Sequence, residues 1–365
     1  MDLMDPKKRK ILVISGIIAA VFILAAGITY YVVFALPKPP ALPVNTELEN
    51  TNTQSDIPQI DEPKNISLIE GTPIDAEQEK VIAVVIENFI DSRRQMAGLS
   101  DASLVFEAEA EGGITRFLAI FPYQNLERVG PVRSARPYFV KWAEMFDAGL
   151  AHAGGSSTAL SKIYASPRVF DLDCLALEGG QKNCFRDYVY YAPHNLFANL
   201  KDLREMLDQY VWSKPLTIPF LQFGPLSSFT LEAEENDALI IHVYYPFPEY
   251  FVRWDFDAEK NIYLRSQAGE PHIDHGNNTQ ITASNVMVIF TEYYPVDEEG
   301  RLSMKVEGGG ELYLFRDGKV IAGIWEKKDE TSNIKFIGEN GAELLFTPGK
   351  TWISVVNSPN ALQFE

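Results

Sequence analysis

The chain has 365 residues, 46% hydrophobic and 12% aromatic, enough to bury one or two cores, which excludes a wholly disordered protein. Acidic residues outnumber basic ones, 50 against 32, and the formal net charge of −18 argues against a nucleic-acid partner. Two cysteines permit at most one disulfide and are too few for a cysteine-based metal site.

At the N-terminus a basic cluster, KKRK at residues 7–10, precedes an apolar run over residues 11–36. Such a run is long enough to span a bilayer as a helix. The segment after it, LPKPPALPVN, holds one lysine, so the positive-inside rule places residues 1–10 in the cytoplasm and the rest outside. The expectation is a single-pass cell-membrane protein with an uncleaved signal anchor; Ala25-Ala26-Gly27 leaves a cleaved secretory signal as the alternative. Residues 37–75 are rich in Pro, Asn, Thr, Ser and acidic side chains and are expected to be a disordered linker. Without residues 1–36, which hold four basic and two acidic side chains, 28 basic residues face 48 acidic ones. Any anion bound by that part must be held by a local arginine cluster.

Residues 76–215 are expected to form an α/β domain. Residues 81–89 are nearly all apolar, as in a strand buried on both faces. Alternation over 104–111 and 114–121 around Gly112-Gly113 predicts a two-residue hairpin. A regular register sets Glu109 opposite Arg116, with Val105, Glu107, Glu109 and Glu111 sharing a face with Ile114, Arg116, Leu118 and Ile120. Leu104, Phe106, Ala108, Phe117 and Phe121 then face the core. The charged face is a partly solvated surface or the floor of a cleft. The loop ERVGPVRSARP follows, carrying Arg128, Arg133 and Arg136, and Ser134 and Pro137 suit the start of a helix with Tyr138, Trp142 and Met145 or Phe146 on one side.

A short strand over 148–153 leads through Gly154-Gly155-Ser156-Ser157 into a further helix. Strand, glycine-rich turn and helix recur in α/β domains, and the free N–H groups of such a turn attract anions, although the same turn also occurs where nothing binds. His152 precedes the turn as a candidate donor or acid. Cys174 and Cys184 flank Gly179-Gly180 and are either a small-loop disulfide or two free thiols. In APHNLFANLKDLREML, Asn195 is a candidate N-cap for a helix bearing Leu196, Leu200, Leu203 and Leu207, and His194 either orients the helix entry or lines a pocket. Residues 216–365 break into short β-like runs with turn signals at Asp317-Gly318 and Asn340-Gly341, predicting an antiparallel sheet or barrel packed on Trp254, Trp325 and Trp352. His272, Asp274 and His275 suit a polar loop better than a metal site, since no further ligand cluster has suitable spacing.

EGGITR, GPVRSARP, HAGGSS and APHNL, in that order, resemble the YerB-like family of bacterial envelope proteins, often lipoproteins, whose paired domains have no assigned function. The resemblance spans residues 80–357 and implies a compartment more than a chemistry. No cysteine lies near the apolar run, so a helix replaces the lipid anchor of those relatives. The expected architecture is α+β or α/β: an N-terminal mixed-sheet domain, then a β-rich antiparallel domain, behind a transmembrane helix.

The resemblance marks Arg116, Arg133, Arg136, His152, Ser156, His194 and Asn195 as motif positions, with Gly154 and Gly155 between them. These residue types grip phosphate or carboxylate, and Glu109 and Glu111 are the acidic partners that would tune the arginines or hold a divalent cation. No metal or cofactor is assigned. The expected function is binding of an anionic cell-wall component or precursor; a non-catalytic scaffold for cell-wall proteins and a wall-polymer hydrolase or transferase are the alternatives. GxSxG, HExxH, P-loop and GxGxxG patterns are absent, so whether the chain is an enzyme stays open.

Overall fold

The computed structural model describes residues 65–365 except 77–78, 179–182, 211, 213, 218 and 226–235. The expected cytoplasmic tail, membrane span and residues 37–64 of the linker lie outside the described residues, as does Gly179-Gly180. Among the described residues no helix is long and apolar enough to cross a membrane. Residues 65–75, expected as the end of the linker, instead form a small hairpin, Asn65–Ile66 with Pro73–Ile74, that buries Ile69.

The elements that position the site are strands β1 (Ile82–Glu87), β2 (Leu104–Glu111) and β3 (Ile114–Phe121), then helix α1 (Pro137–Glu144). Next come β4 (Gly149–His152), α2 (Ser157–Ala165), β5 (Phe170–Asp173), α3 (Cys174–Leu177) and α4 (Leu200–Gln209). The C-terminal half supplies β6 (Ile240–Val243), β7 (Val252–Asp257), β8 (Ile262–Gln267), β9 (Asn285–Phe290), β10 (Gly308–Arg316), β11 (Lys319–Lys327), β12 (Thr351–Val356) and β13 (Leu362–Phe364).

Strands of both halves share one sheet, running Asn236–Asp237, β11, β10, β9, β12, β2, β3, β1, β4, β5, with Lys335–Gly338 also on β11. The last long strand of the chain, β12, lies between β9 and β2 and is parallel to both. The antiparallel expectation for the C-terminal half therefore holds for its hairpins, including β10–β11 around Asp317-Gly318, and fails at β12. A second, antiparallel sheet runs Glu270–Pro271, β8, β7, β6, β13.

Alternate residues of the large sheet feed two cores. One face, with Val84, Val105, Phe117 and Trp352, packs on α4 and on Ile241, Val252 and Trp254 of the second sheet. The other, with Val85, Phe106, Leu118 and Val355, packs on α1 and α2 through Tyr138, Trp142 and Ile163. Trp254, Trp325 and Trp352 are all buried.

The expected hairpin register is off by one residue beyond the turn. Gly112 and Gly113 adopt φ of 56° and 78°, which a type I′ turn requires, and Glu111 faces Ile114 as expected. A bulge between Glu109 and Glu111 then shifts the ladder, so that Glu109 faces Thr115 and Ala108 faces Arg116. A one-residue shift exchanges faces. Phe117 consequently shares a face with Val105 and Glu107, while Leu118 and Ile120 join Leu104, Phe106 and Ala108 on the other.

Candidate functional site

Three parallel strands end together: β1 at Glu87, β4 at His152 and β5 at Asp173. The β2–β3 turn lies at the same edge, where Arg116 pairs with Glu87 in register. The carboxyl ends of parallel strands are where open α/β sheets gather ligand-binding groups. Backbone hydrogen bonds bring the arginine loop to this edge. After a cis Gly130-Pro131 bond, the Arg133 N–H donates to the Val85 carbonyl at 2.8 Å, and Glu87 donates back to the Pro131 carbonyl at 2.9 Å. Farther along, Ala153 donates to the Arg133 carbonyl at 3.0 Å and Ala135 to the Gly154 carbonyl at 2.9 Å, while the Ser134 hydroxyl donates to the Ala153 carbonyl. Gly154 has a φ of 62°, a conformation that favours glycine.

Each arginine of the cluster meets a carboxylate. Glu111 accepts from Arg116 through one oxygen and from Arg136 through the other, with Arg136 Nε at 3.0 Å. The remaining Nη1 donors of Arg116 and Arg136 go to the carbonyls of Ser134 and Ala135. Burial first, then the neighbouring Arg136, push the Arg116 guanidinium down to about 10, against the opposing effect of Glu111.

Arg133 donates to Glu87 through Nε at 2.6 Å, and its Nη1 approaches the Pro193 carbonyl at 3.5 Å. His194 Nδ1 faces both oxygens of Glu87, at 2.9 and 3.0 Å. A carboxylate only accepts, so the Nδ1 proton belongs on that bond. The ring stacks on Phe89 with centroids 5.2 Å apart.

The glycine turn is less open than its sequence suggests. The Gly154 N–H donates to Asp173 at 3.1 Å, Ser156 donates to the Ala135 carbonyl, and the Ser156 hydroxyl caps α2 by accepting from Ala159 at 3.2 Å. His152 is fully buried, with Nδ1 at 2.8 Å from the Gly154 carbonyl and Nε2 at 2.9 Å from Asp171. That hydrogen bond is the main reason the Asp171 carboxyl lies below its usual range.

Asn195 is not the cap of α4: Leu196–Ala198 pairs with Cys184–Arg186, and Asn199 caps the helix that begins at Leu200. Asn195 instead accepts from Arg186 at 2.9 Å and donates to the Tyr190 carbonyl at 3.1 Å. Cys174 and Cys184 are joined by a disulfide, with Cα atoms 5.3 Å apart.

The structure thus brings Arg116, Arg133, Arg136, Glu111 and His194 to one edge beside the 152–156 turn. Glu109 stands apart, accepting from the Gly113 N–H at 3.0 Å. The residue that sequence reasoning missed is Glu87, the partner of both Arg133 and His194. Its one signal was a carboxylate closing an apolar strand. Among the described residues no group of three His, Cys, Asp or Glu side chains is arranged for a metal ion. Asp274 accepts from the N–H groups of Ser100 and Gly276, and His272 is buried against Arg265.

Burial holds the Glu109 carboxyl above its usual range, against the hydrogen bonds from Gly113 and Tyr293 that lower it. Ionising it therefore costs stability as pH rises from the unfolded-state value through the folded one, and costs nothing below both. Glu109→Gln is expected to raise the urea midpoint at pH 7 and to leave it unchanged at pH 3. A midpoint lowered at pH 7 would show that the charged form is the one the fold uses.

Residues 70–213 match the family described as protein of unknown function (DUF3048), N-terminal domain, and residues 241–353 match its C-terminal domain. The chain is 32% identical over 282 residues to a Bacillus subtilis (strain 168) protein named "Putative lipoprotein YerB", covering 76% of this chain and 82% of that one. The crystal structure of YerB from Bacillus subtilis superposes with a TM-score of 0.71 at 29% identity, covering 83% of this chain and all of that one.

Proposed function

The chain belongs to the DUF3048 family that includes YerB, and from that membership we propose an extracytoplasmic protein, held at the membrane by residues 11–36, that binds an anionic cell-wall component. The relative's name speaks of a lipid anchor. Here the apolar run behind KKRK takes that role, with the bulk of the chain outside the cytoplasm.

The observation that carries the binding reading is the gathering of three guanidinium groups at one sheet edge of a chain whose net charge is −18. Arg116, Arg133 and Arg136 pair there with Glu87 and Glu111, while Asp173 at the same edge accepts from the N–H groups of Gly154 and Leu175. Arg116 and Arg136 are spent on Glu111 and backbone carbonyls. Arg133 is the one whose Nη1 has only a long 3.5 Å contact, so it is the group that addresses a ligand.

The test uses full-length protein in detergent, sedimented with purified wall sacculi. Arg133→Gln is expected to weaken association by about 10- to 100-fold, the worth of a hydrogen bond to a charged group. Arg133→Lys restores only part, because an ammonium cannot hold Glu87 with two planar donors and still present a third to a ligand. Wild-type association in the Gln variant, with an unchanged melting temperature, removes the reading.

A further inference from the structure

We propose that the loop over residues 187–193 makes this edge a saccharide-binding site, so that the anion recognised by Arg133 is carried on a sugar; the inference rests on the anionic-ligand reading above. The loop projects Tyr188, Val189 and Tyr191 into solvent, 86%, 83% and 91% exposed. Large apolar side chains grouped on a surface mark a contact site rather than a packing need.

The loop is nonetheless built. The Asp187 N–H donates to the Asn195 carbonyl at 2.9 Å, the Asn195 amide to the Tyr190 carbonyl at 3.1 Å, and the His194 N–H to the Tyr191 carbonyl at 3.0 Å. Arg128 holds the Asp187 carboxylate at 2.8 Å while lying over the Phe197 ring at 3.6 Å. Both ends of the loop are therefore tied, and its rings are presented without a large ordering cost on binding.

The loop also runs directly into the charged cluster. Tyr191 and His194 close one tight turn through the cis Ala192-Pro193 bond, and Arg133 approaches both the Pro193 carbonyl and His194 Nδ1. A tyrosine ring offers an apolar face for the C–H side of a pyranose and a hydroxyl for its rim. Next to the rings stand Arg133 Nη1, whose one contact is the long one to Pro193, for a carboxylate or phosphate and His194 Nε2 for a sugar hydroxyl. A charged sugar needs that combination. An anionic bilayer or a nucleic acid is repelled by the 28 to 48 imbalance of residues 37–365.

Full-length protein in neutral detergent is titrated with four probes. They are amidase-treated glycan strands, whose alternate sugars bear a free lactyl carboxylate; polyglutamate and polyphosphate, which are anions without sugar; and neutral chitohexaose. The strands are expected to bind best. Tyr188→Ala with Tyr191→Ala should weaken them about tenfold and change the sugar-free anions less than about twofold. Arg133→Gln should weaken strands and sugar-free anions alike. If the tyrosine pair leaves strand affinity unchanged while Arg133→Gln lowers it, the saccharide inference falls and the anion reading stands. If the wild type binds none of the anionic probes, both fall. A photo-crosslinker at position 191 that captures protein, in a chain without strand affinity, would reassign the loop to a protein partner.

Discussion

Arg265→Met is expected to destabilise the protein by roughly 3–5 kcal/mol, the cost of leaving a buried ion without its partner. Arg265 and Glu107 are both fully buried and paired at 2.8 Å, in the core between the large sheet and the second one. The carboxylate also accepts from Trp352 Nε1 at 3.1 Å and from the Thr115 hydroxyl at 3.2 Å. The guanidinium donates to Gln267 at 2.8 Å, contacts His272 Nδ1, and lies over the Trp352 ring at 4.7 Å. Burial, then the Arg265 charge, push the His272 imidazole well below its usual range, so it stays neutral and accepts from the guanidinium. Glu107→Gln should cost a similar amount. The double change Glu107→Gln with Arg265→Met should recover much of either loss, since no uncompensated charge then remains. Guanidinium unfolding followed by tryptophan fluorescence reads all three. Because Glu107 comes from β2, Arg265 from β8 and Trp352 from β12, a single transition is expected in each. Separate transitions for the two halves would mean that this network does not weld them.

Local patterns predicted local structure well. The apolar run became β1, Gly112-Gly113 made its turn, Pro137 opened α1, and the glycine-rich turn after β4 led into α2. Each of these is decided within a few residues by periodicity or φ. What went unseen depends on distant partners. The insertion of β12 between β9 and β2 is a pairing across some 245 residues, as Trp352 on Glu107 illustrates, and nothing in either segment announces it. The same insertion buries Glu107, which sequence alone placed on a half-charged face, either a solvated surface or a cleft floor. At Asn195 and Asn199, both good caps, the choice fell to the pairing of Leu196–Ala198 with Cys184–Arg186, which holds the first asparagine outside the helix. At the candidate site the arginines and His194 were legible as motif positions. Of their carboxylate partners Glu111 was legible beside the arginines and Glu87 was not, and the bulge at the end of β2 gives Glu111, rather than Glu109, to Arg116.

Glu111→Gln should be the most damaging single change at that edge, costing about 2–3 kcal/mol, at the low end for a buried pair because the carboxylate keeps some contact with solvent. One carboxylate serves two guanidinium groups that are themselves nearly buried. An amide presents only one oxygen and no charge, so Arg116 and Arg136 would be left to repel each other. By contrast, Arg116→Met should be milder, since Glu111 keeps its bonds to Arg136 and one buried cation is removed. The pH dependence separates this account from simple loss of packing. In the wild type, burial and then the neighbouring Arg136 push the Arg116 guanidinium below its ordinary value, down to about 10. A cation whose pKa is lowered by folding weighs on the fold while both states are protonated, and that burden eases as the folded state gives up its proton first. Without Glu111 the Arg116 value falls further, so the Glu111→Gln penalty should be full at pH 7 and shrink as pH approaches and passes 10. A penalty that stays constant from pH 7 to 10.5 in urea titrations would assign the loss to packing, and the shared carboxylate would no longer explain why two arginines stand side by side at the end of this sheet.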